Sequence, residues 1–325
     1  MNKKTRIKLL FACAVLLLVF VIIYSGLQIL ESTVFFKFKN PEQTESKIIE
    51  KNGIKYYPRQ DITTILVMGI NQKGPVTPTE YNHGGAVDML ALLVFDSETK
   101  TCDVLSLNRD MMVHMPMLNR YGKQQGTYYG QLAYSHTYGD GMKDSCENVR
   151  ATVSALFNGI RIDHYFSLNV DTIPILNDSV GGVVVNVVDD FSNIDPTITM
   201  GTVKLMGQHA VNFVQARGGI GDELNISRMR RHEAYLEGFV AAARTKIDNE
   251  PQFLVDAYQQ IQDYIVTDCS LQSLNRLQID FNDYSRGDLL SVDGENRLGE
   301  VYYEFYPDAD ALLDLTLDLF YAPMQ

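Results

Sequence analysis

The sequence predicts an α/β domain with a mixed central sheet, preceded by one N-terminal transmembrane helix. Short apolar segments rich in β-branched residues alternate with amphipathic segments of helical period from residue 62 onwards, which is typical of strands and helices packed in layers. An almost uninterrupted apolar run covers residues 9–30, the length that a membrane-spanning helix needs. The 325 residues are enough for one large domain or two small ones.

The N-terminal segment predicts how the chain is oriented. The basic residues around the start of the apolar run are Lys3, Lys4, Arg6 and Lys8. Because such a cluster stays in the cytoplasm, we expect a single-pass protein of the cell membrane. Residues 1–8 would be a cytoplasmic tail, 9–30 a signal-anchor helix, 31–60 an extracellular stalk and 61–325 the extracellular domain. A cleaved signal peptide is the alternative, but the apolar run is long for one.

The charge of the predicted exterior argues against nucleic acid as a partner. All 40 acidic residues lie beyond the apolar run, together with 24 of the 28 basic ones, which gives a formal charge of −16. A surface of this sign repels nucleic acid. Any site for an anion would therefore have to be a local basic pocket.

The cysteines give no indication of a metal centre. Those beyond the apolar run are Cys102, Cys146 and Cys269. They form no CxxC pair and have no metal-binding spacing to a histidine. We expect buried thiols, with one disulfide possible in an oxidising exterior.

The elements follow in chain order from their apolar periods. Strands are predicted at residues 62–70, 88–95, 104–107, 165–170, 182–188 and near 300–306. Helices are predicted at 144–157, 173–178, 207–217, 226–247, near 252–264, near 271–281 and at 308–320. The segment DSETKT at 96–101 has the composition of a tight turn between the second and third strands.

That turn would place two residues of opposite charge at one edge of the sheet. Asp88 opens the second strand, and Arg109 and Asp110 follow the third. In an antiparallel hairpin these ends meet, which puts a cation-seeking acid beside an anion-seeking base. A carboxylate here could bind Mg²⁺. The alternative is an acid that accepts hydrogen bonds from backbone N–H groups at a strand end.

A second candidate lies in QARGGIGDELNISRMRRHEAY at residues 215–235. Asn225 is a good N-cap, and Arg228, Arg231 and His232 then have the spacing i, i+3, i+4 of one helix face. Arginines in the first turns oppose the helix dipole unless an anion is bound there. Arg217, before the glycine loop, could complete an anion pocket. The alternative is a solvated face with surface salt bridges.

Seven segments, taken in order, resemble the LytR-CpsA-Psr family. They are ILVMGIN at 65–71, GGAVDMLALLVFD at 84–96, LSLNRDM at 105–111, AYSHTYGDG at 133–141, DHYFSLNVDTIPILNDSVGGVVVNV at 163–187, LMGQHAVNFVQARGG at 205–219 and NISRMRRHEAYL at 225–236. Each segment alone is weak, but their order and spacing behind one membrane anchor are specific. The resemblance runs from about Ile62 to Tyr321.

The resemblance implies a three-layer α/β/α domain on the outer face of a bacterial cytoplasmic membrane. Proteins similar to this one transfer phosphoglycans, such as teichoic acid or capsule, from an undecaprenyl diphosphate carrier to peptidoglycan. They use Mg²⁺ (or Mn²⁺) and hold the lipid in a long apolar groove. By this resemblance Asp88 would bind the metal, and Arg109, Arg217, Arg228 and Arg231 would hold the diphosphate. His232, on the same predicted helix face, is expected to join them.

The match also has departures. They are Asn71, Ala86, Gln215, Asn225 and His232, where the family often carries Asp, Arg, Arg, Asp and Gln. Two cations and two carboxylates are lost together, so the local charge is roughly unchanged. Asp222 lies close enough to Asn225 in sequence to replace the missing carboxylate as a metal ligand.

We therefore expect a phosphoryl transfer in which a sugar hydroxyl attacks the phosphorus nearest the glycan. Asp88, Arg109, Asp110, Arg217 and Arg228 are the expected catalytic residues, and Asp110 or Asp222 would accept the hydroxyl proton. Two alternatives stay open. One is a non-catalytic protein that binds polyprenyl diphosphate or wall polymer and regulates other factors. The other is a lipid pyrophosphatase.

Overall fold

The computed structural model describes residues 47–221, 225–250, 253–270, 273, 276–277, 280–281 and 283–324. The predicted tail and transmembrane helix, the stalk as far as residue 46, Asp222 and most of the predicted helix near 271–281 lie outside these described residues. Within them, no helix has the length and apolar character needed to cross a membrane.

The strands and helices of the described residues follow in chain order. The strands are β1 (Ile49–Lys51), β2 (Ile54–Pro58), β3 (Ile62–Ile70), β4 (Val87–Asp96), β5 (Thr101–Leu107), β6 (Met112–Leu118), β7 (Gln124–Gln131), β8 (His164–Asn169), β9 (Val183–Val187), β10 (Gly201–Leu205), β11 (Ile265–Thr267), β12 (Ser285–Ser291), β13 (Gly294–Leu298), β14 (Tyr303–Pro307) and β15 (Tyr321–Pro323). The α-helices are α1 (Lys143–Leu156), α2 (Thr172–Ser179), α3 (Gln208–Gln215), α4 (Asn225–Asn249), α5 (Phe253–Ile261) and α6 (Ala309–Phe320).

Six strands form a mixed central sheet in the order β11-β8-β3-β4-β5-β12. The pairs β3–β4, β4–β5 and β8–β11 are antiparallel, whereas β3–β8 and β5–β12 are parallel. The predicted mixed sheet is therefore confirmed. The turn at residues 97–100 joins β4 to β5, as the DSETKT segment predicted.

Helices cover both faces of this sheet because its central strands are apolar on both sides. On β3, Leu66 and Met68 belong to a core with residues of α1 and α6. Their neighbours Ile65 and Val67 face the opposite side and pack with residues near α4 and α5. Strands that are buried on both faces lose the polar–apolar alternation and become continuous apolar runs.

Three further sheets position the ends of the domain and the candidate site. β1, β2 and β15 form a three-stranded antiparallel sheet. Among the described residues, hydrogen-bonded strands are therefore already present from Ile49, within the segment 31–60 that the sequence predicts to be a stalk. The hairpins β6–β7 and β13–β14 meet where the Phe305 N–H donates to the Asp110 carbonyl, at 2.9 Å.

Candidate functional site

The β4–β5 hairpin brings Asp88 and Arg109 together. Leu90 of β4 pairs with Leu107 of β5, so the residues just beyond this pair share one edge of the sheet. The Arg109 guanidinium donates a hydrogen bond to Oδ1 of Asp88 and forms an ion pair with it. The juxtaposition that the hairpin pattern predicts is thus present.

Asp110 is buried and connects two arginines. Its carboxylate is 1% exposed and accepts hydrogen bonds from Arg217, with one N–O distance of 2.5 Å. Arg109 Nε lies 3.5 Å from the same carboxylate, and Gln131 Nε2 donates to it at 3.4 Å. Asp110 therefore holds Arg109 and Arg217 side by side.

Arg228 reaches the same place from the first turn of α4. Its side chain is 4% exposed, and its Nη1 lies 3.8 Å from Oδ1 of Asp88. Asn225 holds it, because Oδ1 of Asn225 accepts a hydrogen bond from Arg228 Nε at 3.0 Å. Burial, together with the nearby charges of Arg109 and Arg217, lowers the pKa of Arg228 to about 10, so the guanidinium still carries its charge at neutral pH.

The three guanidinium groups of Arg109, Arg217 and Arg228, called here the arginine cluster, outnumber their two acidic partners. Asp88 and Asp110 leave one positive charge uncompensated among the five side chains. An anion bound here would relieve the repulsion between the arginines and accept several charge-assisted hydrogen bonds.

Arg231, which the sequence also predicts to hold the diphosphate, does not contact the arginine cluster. Its Nε donates to the carbonyl of Phe213 at 3.1 Å, its Nη2 donates to that of Ala216, and its Nη1 pairs with Asp189 at 2.7 Å. It lies on α4 three residues after Arg228, a rotation of about 60° around the helix axis. This turns it towards the C-terminal end of α3, where it satisfies carbonyl groups left free by the helix end.

His232, predicted from its spacing to lie at the diphosphate site, contacts a backbone carbonyl. Its Nε2 lies 2.9 Å from the carbonyl of Val214. Burial and the neighbouring Arg228 charge lower the pKa of His232 to about 3, so the ring is neutral at physiological pH. It lines the wall of a cavity without adding a cation.

This cavity, of about 200 Å³, lies between the central sheet and helices α2 and α4. Its walls are mainly apolar and include Leu93, Leu236 and Phe239, whereas Asp88 and Arg228 line it as well. Asp88 and Leu93 are five residues apart on one strand, which is about 17 Å. An elongated apolar ligand with an anionic head could therefore place its apolar part against the cavity walls and its head beside the arginine cluster.

Comparisons with known proteins give the family. The family model LytR_cpsA_psr matches residues 27–319. The chain belongs to the LytR-CpsA-Psr family. The polyisoprenyl-teichoic acid–peptidoglycan teichoic acid transferase TagU of Bacillus subtilis (strain 168) is 22% identical over 268 residues, 80% of this chain and 78% of that relative. TagU of Halalkalibacterium halodurans is 24% identical over 259 residues, 77% of this chain and 76% of that relative.

Solved structures share the fold of this LytR-CpsA-Psr protein. TagV of B. subtilis has a TM-score of 0.58 at 23% identity, covering 80% of this chain and 96% of that one. TagT bound to LI-WTA has a TM-score of 0.61 at 19% identity, covering 88% and 98%. At these identities the likeness concerns the fold alone.

The donor set at Asp88 fits a divalent cation such as the Mg²⁺ that the resemblance implies. Mg²⁺ is usually held by one or two carboxylates together with phosphate oxygens and water. Arg109 and Arg228 both approach Oδ1 of Asp88, so an anion that attracts these arginines would release carboxylate oxygen for a cation. Asp222, the second predicted ligand, lies outside the described residues.

The departures from the family pattern fall next to the arginine cluster. Asn71 and Ala86 are neighbours, because the Asn71 N–H donates to the Ala86 carbonyl at 2.9 Å. A family acid and a family arginine are therefore lost side by side. Gln215 and Asn225 both line the cavity. In each pair, Asn71 with Ala86 and Gln215 with Asn225, one acid and one arginine of the family pattern are replaced together, so the formal charge of the pair is unchanged.

Two residues that hold the site together, Asn108 and Gln131, were not among the residues predicted from the sequence. Asn108 precedes Arg109, and its Oδ1 accepts from the Asp110 N–H at 3.0 Å and from Asn225 Nδ2 at 2.9 Å. Gln131, at the end of β7, donates to Asp110 and to the Tyr303 carbonyl. The polar NRD triplet after an apolar strand pointed to this position, whereas nothing distinguished Gln131 among its polar neighbours.

Proposed function

We propose that this protein is a phosphotransferase that moves a phosphate-linked wall glycopolymer from a polyprenyl diphosphate carrier to peptidoglycan. The observation that carries the proposal is the arginine cluster beside a mainly apolar cavity. A lipid diphosphate combines the two properties that these surfaces match, a long apolar chain and several negative charges. The names of the TagU relatives support teichoic acid or a related polymer as the glycan.

The arginine cluster would bind the diphosphate by exchanging partners. Arg109 and Arg217 are paired with Asp88 and Asp110, and the phosphate oxygens would take the place of these carboxylates. Guanidinium groups suit this exchange because each is planar and can donate two parallel hydrogen bonds to one phosphate group. Arg228 is held from behind by Asn225, so its orientation is fixed before the ligand arrives.

The transfer step forms one P–O bond and breaks another. A hydroxyl of the acceptor sugar attacks the phosphorus nearest the glycan, and the lipid phosphate leaves with the electron pair of the broken bond. The arginines stabilise the charge that develops on the phosphate oxygens, the main contribution that a protein makes to such reactions. Asp110, once freed from Arg217 by the diphosphate, or Asp222 of the glycine loop would accept the hydroxyl proton.

Asp88 would hold Mg²⁺ or Mn²⁺ together with phosphate oxygens. The bound ion would supply further neutralisation of the diphosphate charge. We also propose that residues 9–30 anchor the chain in the cytoplasmic membrane with the domain outside. This location gives the cavity access to a lipid-linked donor and to the wall.

The proposal is tested with the full-length protein in detergent, a polyprenyl diphosphate-linked glycan, Mg²⁺ and peptidoglycan fragments. We expect glycan to appear on the peptidoglycan, and we expect Arg109→Ala to lower kcat/KM by roughly 1000-fold without loss of folding. Arg161→Ala is the matched control, because Arg161 is 49% exposed and lies at the opposite end of the sheet. Its activity should equal that of the wild type.

Two outcomes would contradict the transferase. Lipid phosphate released with water as the acceptor would identify a pyrophosphatase. Tight binding of the donor without any turnover would identify a binding protein, the role that the departures at Ala86, Gln215 and Asn225 would favour.

A further inference from the structure

A second group of side chains lies at the end of the central sheet that is opposite to the arginine cluster, where β3 and β8 begin. His164 begins β8, and Asp268 and Cys269 directly follow β11. The two strands are antiparallel, with Thr267 opposite Phe166, so the ladder leads Asp268 and Cys269 towards the start of β8. One imidazole nitrogen, one carboxylate oxygen and the thiol sulfur of this group all lie within 4.8 Å of one another.

The imidazole of His164 has an unsatisfied nitrogen that faces this group. Its Nδ1 is buried and has no hydrogen-bond partner, and it lies 3.5 Å from Oδ1 of Asp268. A buried polar nitrogen without a partner is costly. A metal ion between His164 and Asp268 would satisfy its lone pair.

Asp268 is held in place by two hydrogen bonds. Its Oδ1 accepts from the Tyr165 N–H at 3.0 Å, and its Oδ2 accepts from Arg150 Nη1 at 3.2 Å. Arg150 is also paired with Glu147. One arginine therefore faces two carboxyl groups, an arrangement that can accommodate an additional cation.

We propose that His164, Asp268 and Cys269 form a binding site for a transition-metal ion of the Zn²⁺ type. Nitrogen, sulfur and carboxylate oxygen are the ligands that Zn²⁺ takes in proteins. Mg²⁺ and Ca²⁺ prefer oxygen alone, so this site differs in chemistry from Asp88. Bonds of about 2.0–2.3 Å require ligand atoms less than 4 Å apart, so the three side chains would rotate towards one another on binding the ion.

The ion would act as a clamp between two strands. β11 is an edge strand of only three residues, Ile265–Thr267, held to the sheet by β8. A metal bound to His164 on one strand and to Asp268 and Cys269 after the other would fix this edge. The fourth coordination position would be taken by water, because Asp268 and Cys269 are not fully buried. The inference does not depend on the transferase proposal.

The test uses full-length protein stripped of metal and titrated with Co²⁺ and then Zn²⁺. We expect one strong site with a Kd below about 10 μM, a thiolate-to-Co²⁺ charge-transfer absorption band, and a rise in Tm of about 5 °C with excess Zn²⁺. Cys269→Ser should abolish the absorption band, and His164→Gln should weaken binding by roughly 100-fold.

His209→Gln is the matched control. His209 lies 3.8 Å from the Asp195 carboxylate and forms a histidine–aspartate pair without a cysteine, so this variant should bind metal like the wild type. Metal binding that survives Cys269→Ser and His164→Gln but disappears in Asp88→Asn would place the ion at the arginine cluster and overturn the proposal. The absence of the charge-transfer band in the wild type would overturn it as well.

Discussion

Arg228 and Arg231 are three residues apart on α4 and contact different parts of the molecule. Arg228 faces Asp88, whereas Arg231 binds the carbonyls that end α3 and the Asp189 carboxylate. The helical spacing predicted that both would lie near one face. It could not predict which neighbour each side chain would contact. The two side chains leave α4 in directions about 60° apart, one towards the cavity and the other towards α3, and the position of α3 depends on tertiary packing.

Arg231→Ala should therefore destabilise the fold rather than weaken ligand binding alone. The substitution leaves Asp189 without its partner and removes the donors to two backbone carbonyls. We expect the free energy of unfolding to fall by about 3–5 kcal/mol, measured by urea denaturation. If Arg231→Ala unfolded like the wild type and lost only affinity for a lipid diphosphate, the structural role would be refuted.

Asn225 supports Arg228 although it lacks the charge that the family often has there. It accepts from Arg228 Nε and donates to Asn108. Asn225→Ala should raise the KM for the lipid diphosphate about 30-fold, because Arg228 loses two hydrogen bonds to Asn225 and each is worth about 1 kcal/mol. Asn225→Asp keeps an acceptor for Arg228 and should keep a KM close to that of the wild type. Equal KM values for Asn225→Ala and the wild type would exclude this support.

Six strands (β3, β4, β5, β8, β9 and β14) could be predicted to within three residues at each end, but the other strands of the described residues could not. β3 is predicted at its observed bounds because it is apolar throughout. β7, with the sequence QQGTYYGQ, is exposed over its first six residues, so it lacks the alternation on which strand prediction depends. Its pairing with β6 arises from tertiary contacts, and Gln131 reaches Asp110 only through this hairpin.

The cavity between β4 and α4 gives a prediction at the same scale. Ala91 lies on β4 in the cavity wall, so Ala91→Phe would fill part of the space. We expect weaker binding of a long-chain polyprenyl diphosphate, by about 10-fold, and a much smaller change for a short-chain diphosphate, because the headgroup contacts remain. Isothermal titration with both lipids measures this difference.

Ala241→Phe is the control for this substitution. Ala241 is exposed on α4, so the added ring should leave both affinities unchanged. A chain-length effect that is equal in Ala91→Phe and Ala241→Phe would mean that the cavity does not hold the lipid.

The stability of the whole molecule should depend on pH through a buried histidine. His136 is 1% exposed, and its Nδ1 is 2.8 Å from the Gly85 carbonyl. Burial lowers the pKa of His136 to about 4, below the usual value of about 6.5. Between pH 6.5 and 4 the unfolded chain therefore binds the extra proton, so the contribution of His136 is complete above pH 6.5 and is lost as the pH falls towards 4.

This contribution can be isolated with His136→Asn, whose amide can replace the Nδ1–H donor to Gly85. Urea denaturation at several pH values should give a slope of stability against pH that is smaller in the variant by about 1.4 kcal/mol per pH unit between pH 6 and 4.5. The slope is compared rather than the absolute stability, since the substitution also changes packing. Identical slopes would contradict a buried neutral imidazole.

The first and last described strands close the domain on each other. Tyr321, Ala322 and Pro323 of β15 pair with Pro58, Tyr57 and Tyr56 of β2, and the Arg59 N–H donates to the Phe320 carbonyl at 2.9 Å. Tyr56 and Ile49 pack against the core that contains Phe320. The polar composition of residues 31–60 hid this role, because the apolar residues there are too few and too scattered to show a strand period.

Deleting residues 47–58 from the full-length protein should therefore lower the Tm by about 5 °C or more. The deletion removes the partner of β15 and uncovers the apolar surface beneath Ile49 and Tyr56, a loss of about 2–3 kcal/mol. Deleting residues 33–44 removes the same number of residues and should leave the Tm unchanged if this segment is the stalk that the sequence predicts. Differential scanning calorimetry on both proteins distinguishes the two cases. An unchanged Tm in both would mean that β15 does not need β2 and that the folded unit starts at residue 61, where the sequence pattern alone had placed it.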